Sequence, residues 1–170
     1  MSILHLSSNF SVKTNYFFLT AESNRKNTKI NMQVTSPIVN TRDLPLTYDI
    51  LRSFLPSILQ CQCFNDEQIP FYREVRHTEI GHLFEHILLE YLCEEKLAVG
   101  FNRAEYSGVT NWNWQKEPWG NFHITITAPD RDFVLLKSAI SKSIPLLTSI
   151  IESNAYSSVS QFSSFPLAMN

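Results

Sequence analysis

The spacing of apolar residues divides the chain into four predicted strands and three predicted helices. Short runs in which apolar or β-branched residues alternate with polar ones predict strands over residues 16–21, 29–35, 98–106 and 121–128. Apolar residues that recur every three or four positions predict helices over residues 46–59, 78–97 and 132–152. Pro56 is expected to bend or end the first helix, because proline has no amide hydrogen to donate. Thr78 or the residues before it are expected to cap the second.

These elements predict an α/β chain of the α+β kind. We expect a two-layer sandwich, in which a roughly four-stranded mixed or antiparallel sheet packs against about three helices. A length of 170 residues, of which 44% are hydrophobic, suits one core and hence one domain, which we place at residues 1–155. Residues 156–170 begin with a serine-rich stretch and are predicted to form a flexible C-terminal tail.

Charge and composition exclude several classes of function. With 14 basic and 16 acidic side chains the net charge is -2, so we expect no nucleic-acid partner. Only four glycines occur, without a phosphate-binding motif, which disfavours nucleotide chemistry. The chain contains no apolar run of membrane-spanning length and no convincing signal peptide, so no membrane association is expected. Its three cysteines do not form a secreted disulfide pattern, which indicates a cytoplasmic protein.

The segment from His82 to His86 carries the pattern H-x-x-E-H. On a helix the two imidazoles lie about 6 Å apart along the axis and about 40° apart in rotation, so they can bind one Zn²⁺ ion. Glu85 stands beside His86, where its carboxylate can take a proton from metal-bound water. This is the inverted zinc-peptidase motif. The alternative is a solvated helix face on which these side chains are only hydrogen-bonded.

A zinc site of this kind needs a third protein ligand. Glu90 lies on the same helix, but it is about 12 Å from His82 along the axis, which is long for one shared ion. Glu90 could instead orient His86 from outside the ligand set. The other candidates come from elsewhere in the chain, and the residues alone do not choose among them: Cys61, Cys63, Glu105 and His123.

Substrate binding is assigned to arginines and to a tryptophan-rich loop. Arg76 and Arg103 are candidate anion binders, because a guanidinium group grips carboxylates with two hydrogen bonds. Trp112 and Trp114 lie in a loop predicted over residues 107–120 and could stack on guanidinium groups. The alternatives are surface solubility or a structural ion pair for the arginines, and cover over the open end of the core for the tryptophans.

Several short motifs occur in the order seen in the amino-terminal domain of cyanophycin synthetase, which the chain resembles over roughly residues 12–153. The motifs are Leu55-Pro56-Ser57, Phe71-Tyr72-Arg73-Glu74-Val75-Arg76-His77-Thr78, Gly81-His82-Leu83-Phe84-Glu85-His86-Ile87-Leu88-Leu89-Glu90-Tyr91-Leu92 and Val99-Gly100-Phe101-Asn102-Arg103. The last motif departs from the family, in which a glycine stands at the position of Asn102 and the segment is a strand. The resemblance suggests a stand-alone homologue of that domain.

The resemblance also implies a function. Cyanophycin synthetase joins this domain to an ATP-grasp ligase module and a Mur-ligase-like module, and it builds poly-aspartate with arginine side groups. The domain holds the polymer, and in some members it carries a metal-dependent site that cuts the polymer into primers. Both ligase modules are missing here, so we expect no ligase activity.

We therefore expect a metal-dependent hydrolase of a cyanophycin-like or other charged peptide polymer. Zn²⁺ would be held by His82, His86 and Glu90, with Glu85 as the catalytic base. The first alternative is a non-catalytic module that binds the polymer or a separate synthetase. The second is a scaffold that has lost both roles.

Overall fold

The computed structural model describes residues 8–63 and 69–162 and shows a five-stranded antiparallel sheet packed against three main helices. The strand order is β1-β2-β3-β5-β4, which places β4 at one edge. The α+β two-layer sandwich is therefore confirmed, with one strand more than expected. The strands are β1 (Ser8–Lys13), β2 (Phe17–Ser23), β3 (Thr28–Val34), β4 (Gly108–Asn111) and β5 (Asn121–Ile126).

The three main helices, together with one short helix of a single turn, provide the second layer. Pro56 ends the first helix, as expected, and a 3-10 turn at Pro56–Gln60 follows it. The last helix is longer than predicted and continues through Pro145. The helices are α1 (Thr47–Phe54), the short α2 (Phe71–Glu74), α3 (Ile80–Ala98) and α4 (Phe133–Phe162).

The strand predicted over residues 98–106 is wrong. Ala98 is the last residue of α3, and residues 99–107 form no regular element. Gly100 has a φ of 96°, which turns the chain out of the helix, and Val99 and Phe101 are 58% and 53% exposed. The prediction failed because β-branched and aromatic residues indicate a strand only where they are half-buried against neighbouring side chains.

Two strands lie where none was predicted. β4 falls inside the predicted loop over residues 107–120, and it has no alternating pattern because three of its four residues are exposed. β1 lies at the opposite edge of the sheet, where β2 is its one partner in the described part of the chain. An edge strand such as β4 buries little side chain, so alternation of apolar residues does not reveal it. β1, in contrast, carries the alternation Asn9-Phe10-Ser11-Val12-Lys13, with Phe10 and Val12 packed against the core, and the prediction overlooked it.

The core lies between the sheet and helices α3 and α4. Alternate residues of β2, β3 and β5 point into it, and these are Phe17, Leu19, Ala21, Ile30, Met32, Val34, Phe122, Ile124 and Ile126. Gly81, near the start of α3, lies so close to β5 that a Cβ atom there would be 2.4 Å from the ring of Phe122. This close approach sets α3 directly against the sheet, and the middle of α3 then passes the edge strand β4.

The predicted domain, residues 1–155, and the predicted flexible tail, residues 156–170, stay predictions. Helix α4 continues to Phe162, and residues 163–170 of the expected tail lie outside the described residues. The segment Asp130–Asn154 is long and apolar enough to cross a membrane by length and composition alone. Buried residues of this segment, such as Leu136, Ile140 and Leu147, belong to the hydrophobic core, as is typical of the central helix of a folded domain.

Candidate metal centre

The start of α3 positions the first histidine. Glu79 is the N-cap residue, and no side chain caps the helix, because the hydroxyl of Thr78 lies 2.7 Å from Nδ1 of His82 instead. The expectation that Thr78 caps α3 is therefore wrong. The backbone of Thr78 is held by Thr41, which donates its amide hydrogen to the Thr78 carbonyl and accepts the Thr78 amide hydrogen on its hydroxyl. With a proton on Nδ1 directed at Thr78, Nε2 of His82 keeps its lone pair for a ligand.

Two donor atoms of α3 meet a third from a segment that precedes the helix by 17 residues or more. Nε2 of His86 lies 3.2 Å from Nε2 of His82, and Sγ of Cys63 lies 3.4 Å from that same His82 atom. All three donors are within 4.8 Å of one another. Since Zn–N bonds are about 2.0–2.1 Å and Zn–S bonds about 2.3 Å, ligands on a tetrahedral zinc ion stand roughly 3.3–3.6 Å apart. The donor set Cys63, His82 and His86 therefore fits Zn²⁺ in chemistry, and the two separations measured from Nε2 of His82 are close to those between zinc ligands.

The environment keeps both imidazoles neutral. Burial, together with a smaller contribution from the neighbouring His82, lowers the pKa of His86 to about 3. Burial also lowers the pKa of His82. The ring of Phe71 stacks on His86 with a centroid distance of 3.8 Å and shields it from solvent. Neutral imidazole is the form that binds metal, so near pH 7 the two histidines need no deprotonation before they bind a cation.

Glu85 lines the same cavity as the donor cluster, and the edge strand β4 holds its carboxyl group. The residue is 4% exposed, and Thr110 of β4 donates its hydroxyl hydrogen to Oε2. Burial raises the pKa of Glu85 to about 7, against the opposing effect of the Thr110 hydrogen bond. A Cβ atom at Gly108 would lie only 2.6 Å from Oε1, so the carboxyl group fits because residue 108 is glycine. A carboxyl group that titrates near neutral pH suits proton transfer.

Glu90, the predicted third ligand, has a different partner. Its Oε2 accepts a hydrogen bond of 3.3 Å from the thiol of Cys61. Burial and the adjacent Glu90 raise the pKa of Cys61 to about 12, which keeps that thiol protonated. Among the described residues, the donor cluster contains neither of them. Glu90 is too far from His82 to join the cluster, because the two residues are two helical turns apart on α3. Cys63 lies outside α3, so helical spacing does not limit its approach.

The two remaining ligand candidates lie elsewhere. His123 is on the outer face of β5, where it contacts Asn31 and Glu117. Glu105 forms an exposed ion pair with Arg103. Neither of these ligand candidates belongs to the donor cluster found among residues 8–63 and 69–162.

The predicted substrate-binding residues are spread around the site. Trp112 lines the cavity beside the donor cluster. Trp114 packs edge-on against Phe122 and donates its indole hydrogen to the carbonyl of Asn121, in agreement with the alternative that it covers the core. The guanidinium group of Arg76 lies 4.2 Å from the ring centre of Tyr48. Neither Arg76 nor Arg103 is among the described residues of the cavity wall.

The cavity itself has a volume of about 540 Å³ and a strongly acidic wall. Helix α3 contributes the two histidines, and residues 107–112, which include β4, form the opposite side. None of the described lining residues is lysine or arginine, whereas four are glutamates: Glu74, Glu79, Glu85 and Glu90. An acidic cavity attracts cationic groups, so the wall is complementary to a substrate with positively charged side groups.

Sequence reasoning did not anticipate three supports of the site. Thr78, Gly108 and Thr110 orient or admit the polar side chains, yet none belongs to a metal-ligand motif. The signal for Thr78 was its position four residues before His82, which places both on one helical face. The link between β4 and Glu85 had no local signal, because strand pairing sets it.

The site lies within a segment that matches a known protein family. A family model described as "Cyanophycin synthase-like N-terminal domain" matches residues 29–112. No curated protein matches the chain. The matched range is narrower than the 12–153 expected from the motifs, and it includes the donor cluster, Glu85 and β4.

Proposed function

Residues 29–112 belong to the cyanophycin synthase-like N-terminal domain family, and on this premise we propose that the protein is a metal-dependent hydrolase of a cyanophycin-like, charged peptide polymer. One observation carries the proposal: three metal-type donors and a carboxyl group with a pKa of about 7 line the same cavity. The non-catalytic reading explains the donor cluster less well, because it gives no role to two neutral imidazoles and a thiol that converge on one point.

Different residues of the site would bind the metal, orient a ligand and transfer the proton during hydrolysis. Cys63, His82 and His86 would hold the ion, and Thr78 would keep Nε2 of His82 directed towards it. A zinc ion held there would supply Lewis-acid chemistry to the scissile carbonyl and to water. Glu85 takes a proton from the attacking water and passes it to the leaving amine as the C–N bond breaks. The products are one carboxylate and one amine, so each cleavage adds one chain end of each kind.

The acidic cavity supports the choice of substrate class. Cyanophycin carries arginine side groups, and the glutamates of the cavity wall other than Glu85 would attract their guanidinium charges. Arg76 and Arg103, the arginines predicted to bind the polymer, are not among the described lining residues of this cavity. Trp112 lies on the wall and stays a candidate for stacking on a guanidinium group.

The proposed ligand set also bears on the compartment. None of the three cysteines, all of which are described, forms a disulfide, and Cys63 can bind a metal ion only while it is reduced. We therefore place the protein in a reducing compartment, the cytoplasm, with the polymer or a separate synthetase as its partner. Cell fractionation with a cytoplasmic marker and co-purification with a synthetase test these two points.

Elemental analysis and a cleavage assay test the hydrolase proposal. Untagged protein should contain about one zinc ion per chain and should shorten the polymer, with new amino groups appearing as it does so. Glu85→Gln should keep the metal and lose cleavage. The matched control is Glu94→Gln, which makes the same change at an exposed position of α3 outside the described cavity lining. Full cleavage by Glu85→Gln would contradict the role of Glu85.

The second candidate function is a module that binds the polymer without cutting it. The acidic wall favours this candidate independently of the metal, since charge attraction needs no ion. Sedimentation with insoluble polymer granules, with and without a chelator, separates the two functions. Retention of intact polymer by zinc-free protein, with no cleavage after zinc is restored, would support the binding module.

A further inference from the structure

The edge strand β4 borders the cavity and has one open side. Among residues 8–63 and 69–162 its one partner strand is β5, and it is the last strand in the order β1-β2-β3-β5-β4. Residues 107–112 all line the cavity that also contains His82, Glu85 and His86. An edge strand offers a row of main-chain donors and acceptors to any extended chain that approaches it.

The register identifies which main-chain groups are open. The amide of Thr127 donates to the carbonyl of Ser107 at 2.8 Å, and the same register pairs Val109 with Thr125. In an antiparallel pair such hydrogen-bonded positions alternate with positions whose groups point the other way. The main-chain groups of Gly108 and Thr110 therefore point away from β5. Within the described part of the chain, the amide and carbonyl of Gly108 and of Thr110 form no backbone hydrogen bond with any residue outside β4 and β5.

The side-chain positions of these same two residues face Glu85. Thr110 donates its hydroxyl hydrogen to Oε2, and a Cβ atom at Gly108 would lie against Oε1. The open main-chain groups are thus carried by the residues nearest the proposed base. An extended chain paired with them would run along the cavity wall and past that carboxyl group.

We propose that β4 binds the main chain of the substrate as an added strand, through the amides and carbonyls of Gly108 and Thr110. The proposal rests on the hydrolase function and specifies how the polymer is aligned for it. In strand addition, main-chain hydrogen bonds bind the repeating backbone, while pockets bind the side groups. A polymer with one backbone and identical side groups suits this mode, because every register presents the same groups to Glu85.

Site-resolved amide hydrogen exchange tests the pairing directly. The protein is Glu85→Gln, and the probe is a short synthetic poly-aspartate oligomer with arginine side groups. We expect exchange at the amides of Gly108 and Thr110 to slow by at least about tenfold on binding. The amides of Val109 and Asn111 face β5 and serve as internal controls that stay protected throughout. Free arginine, which lacks the extended backbone, should bind without protecting either residue.

Variants at one position give an independent measurement. Thr110→Pro removes the open amide without removing a hydrogen bond to β5, a place where edge strands tolerate proline. Thr110→Val is the matched control, because it loses the hydroxyl and keeps the amide. We expect the proline variant to bind the oligomer about tenfold more weakly than the valine variant. Equal affinities would overturn the pairing.

The outcomes separate this inference from the hydrolase proposal. Oligomer binding that leaves exchange at Gly108 and Thr110 unchanged overturns strand addition and leaves hydrolysis intact. Protection of both amides, in a wild-type protein that binds zinc but never cleaves the polymer, supports strand addition and contradicts the hydrolase. Absence of oligomer binding overturns strand addition and the choice of substrate together.

Discussion

The substitution Gly108→Ala tests whether the edge strand positions the proposed base. The added methyl group would lie 2.6 Å from Oε1 of Glu85 and 2.9 Å from the next two atoms of its side chain. Ordinary contacts begin at 3.4 Å, so the carboxyl group must move by about 0.8 Å. The atoms that must give way belong to a side chain and not to the backbone, so the displacement falls on Glu85.

The expected loss of activity follows from that displacement. A misplacement of about 1 Å costs roughly 10²-fold in rate, so cleavage by Gly108→Ala should fall by about that factor. Stability should change by less than about 1 kcal/mol. The lost Thr110–Glu85 hydrogen bond is worth about 1 kcal/mol, and the reduced freedom of the unfolded chain offsets part of it.

The assay combines three measurements on one preparation. Polymer cleavage is followed by the appearance of amino groups, zinc by elemental analysis, and stability by urea unfolding. Thr110→Ser is the control, because it keeps the hydroxyl that donates to Glu85 and should cleave at nearly the wild-type rate. Cleavage at the wild-type rate by zinc-loaded Gly108→Ala would refute the placement of the base by β4.

Three further predictions follow from the site and its surroundings. Cys63→Ala should lose stoichiometric zinc while Cys61→Ala retains it, as measured by elemental analysis; retention of zinc by both would remove Cys63 from the ligand set. Thr78→Val should weaken zinc binding by about 10–100-fold in a chelator competition, because the Thr78 hydroxyl orients the ligand His82 without binding the metal itself. Unchanged zinc affinity would contradict this role. Asp132→Asn should lower the free energy of unfolding, measured in urea, by about 2 kcal/mol, since Asp132 accepts a 2.7 Å hydrogen bond from Lys96. A change below about 0.5 kcal/mol would show that water replaces this contact.

The helical part of the fold was predictable because its signal is local. The three-to-four spacing in α3 identified the helix and placed His82, Glu85 and His86 within about one turn of each other. Pro56 marked the end of α1 for an equally local reason, the missing amide. The edge of the sheet was not predictable in this way. β4 has no alternation to detect, and Val99 and Phe101 resemble a strand although they are exposed.

The sequence by itself determined the two-layer α+β architecture, the central helix and the pair of histidines one turn apart, since each depends on residues close together along the chain. Only the tertiary structure decided the third donor and the surroundings of Glu85. Cys63 lies 19 residues before His82 and Thr110 lies 25 residues after Glu85, so packing, and not spacing, brings them together. Side chains on separate elements meet only where the sheet register and the close approach at Gly81 put them, and no local pattern encodes that meeting.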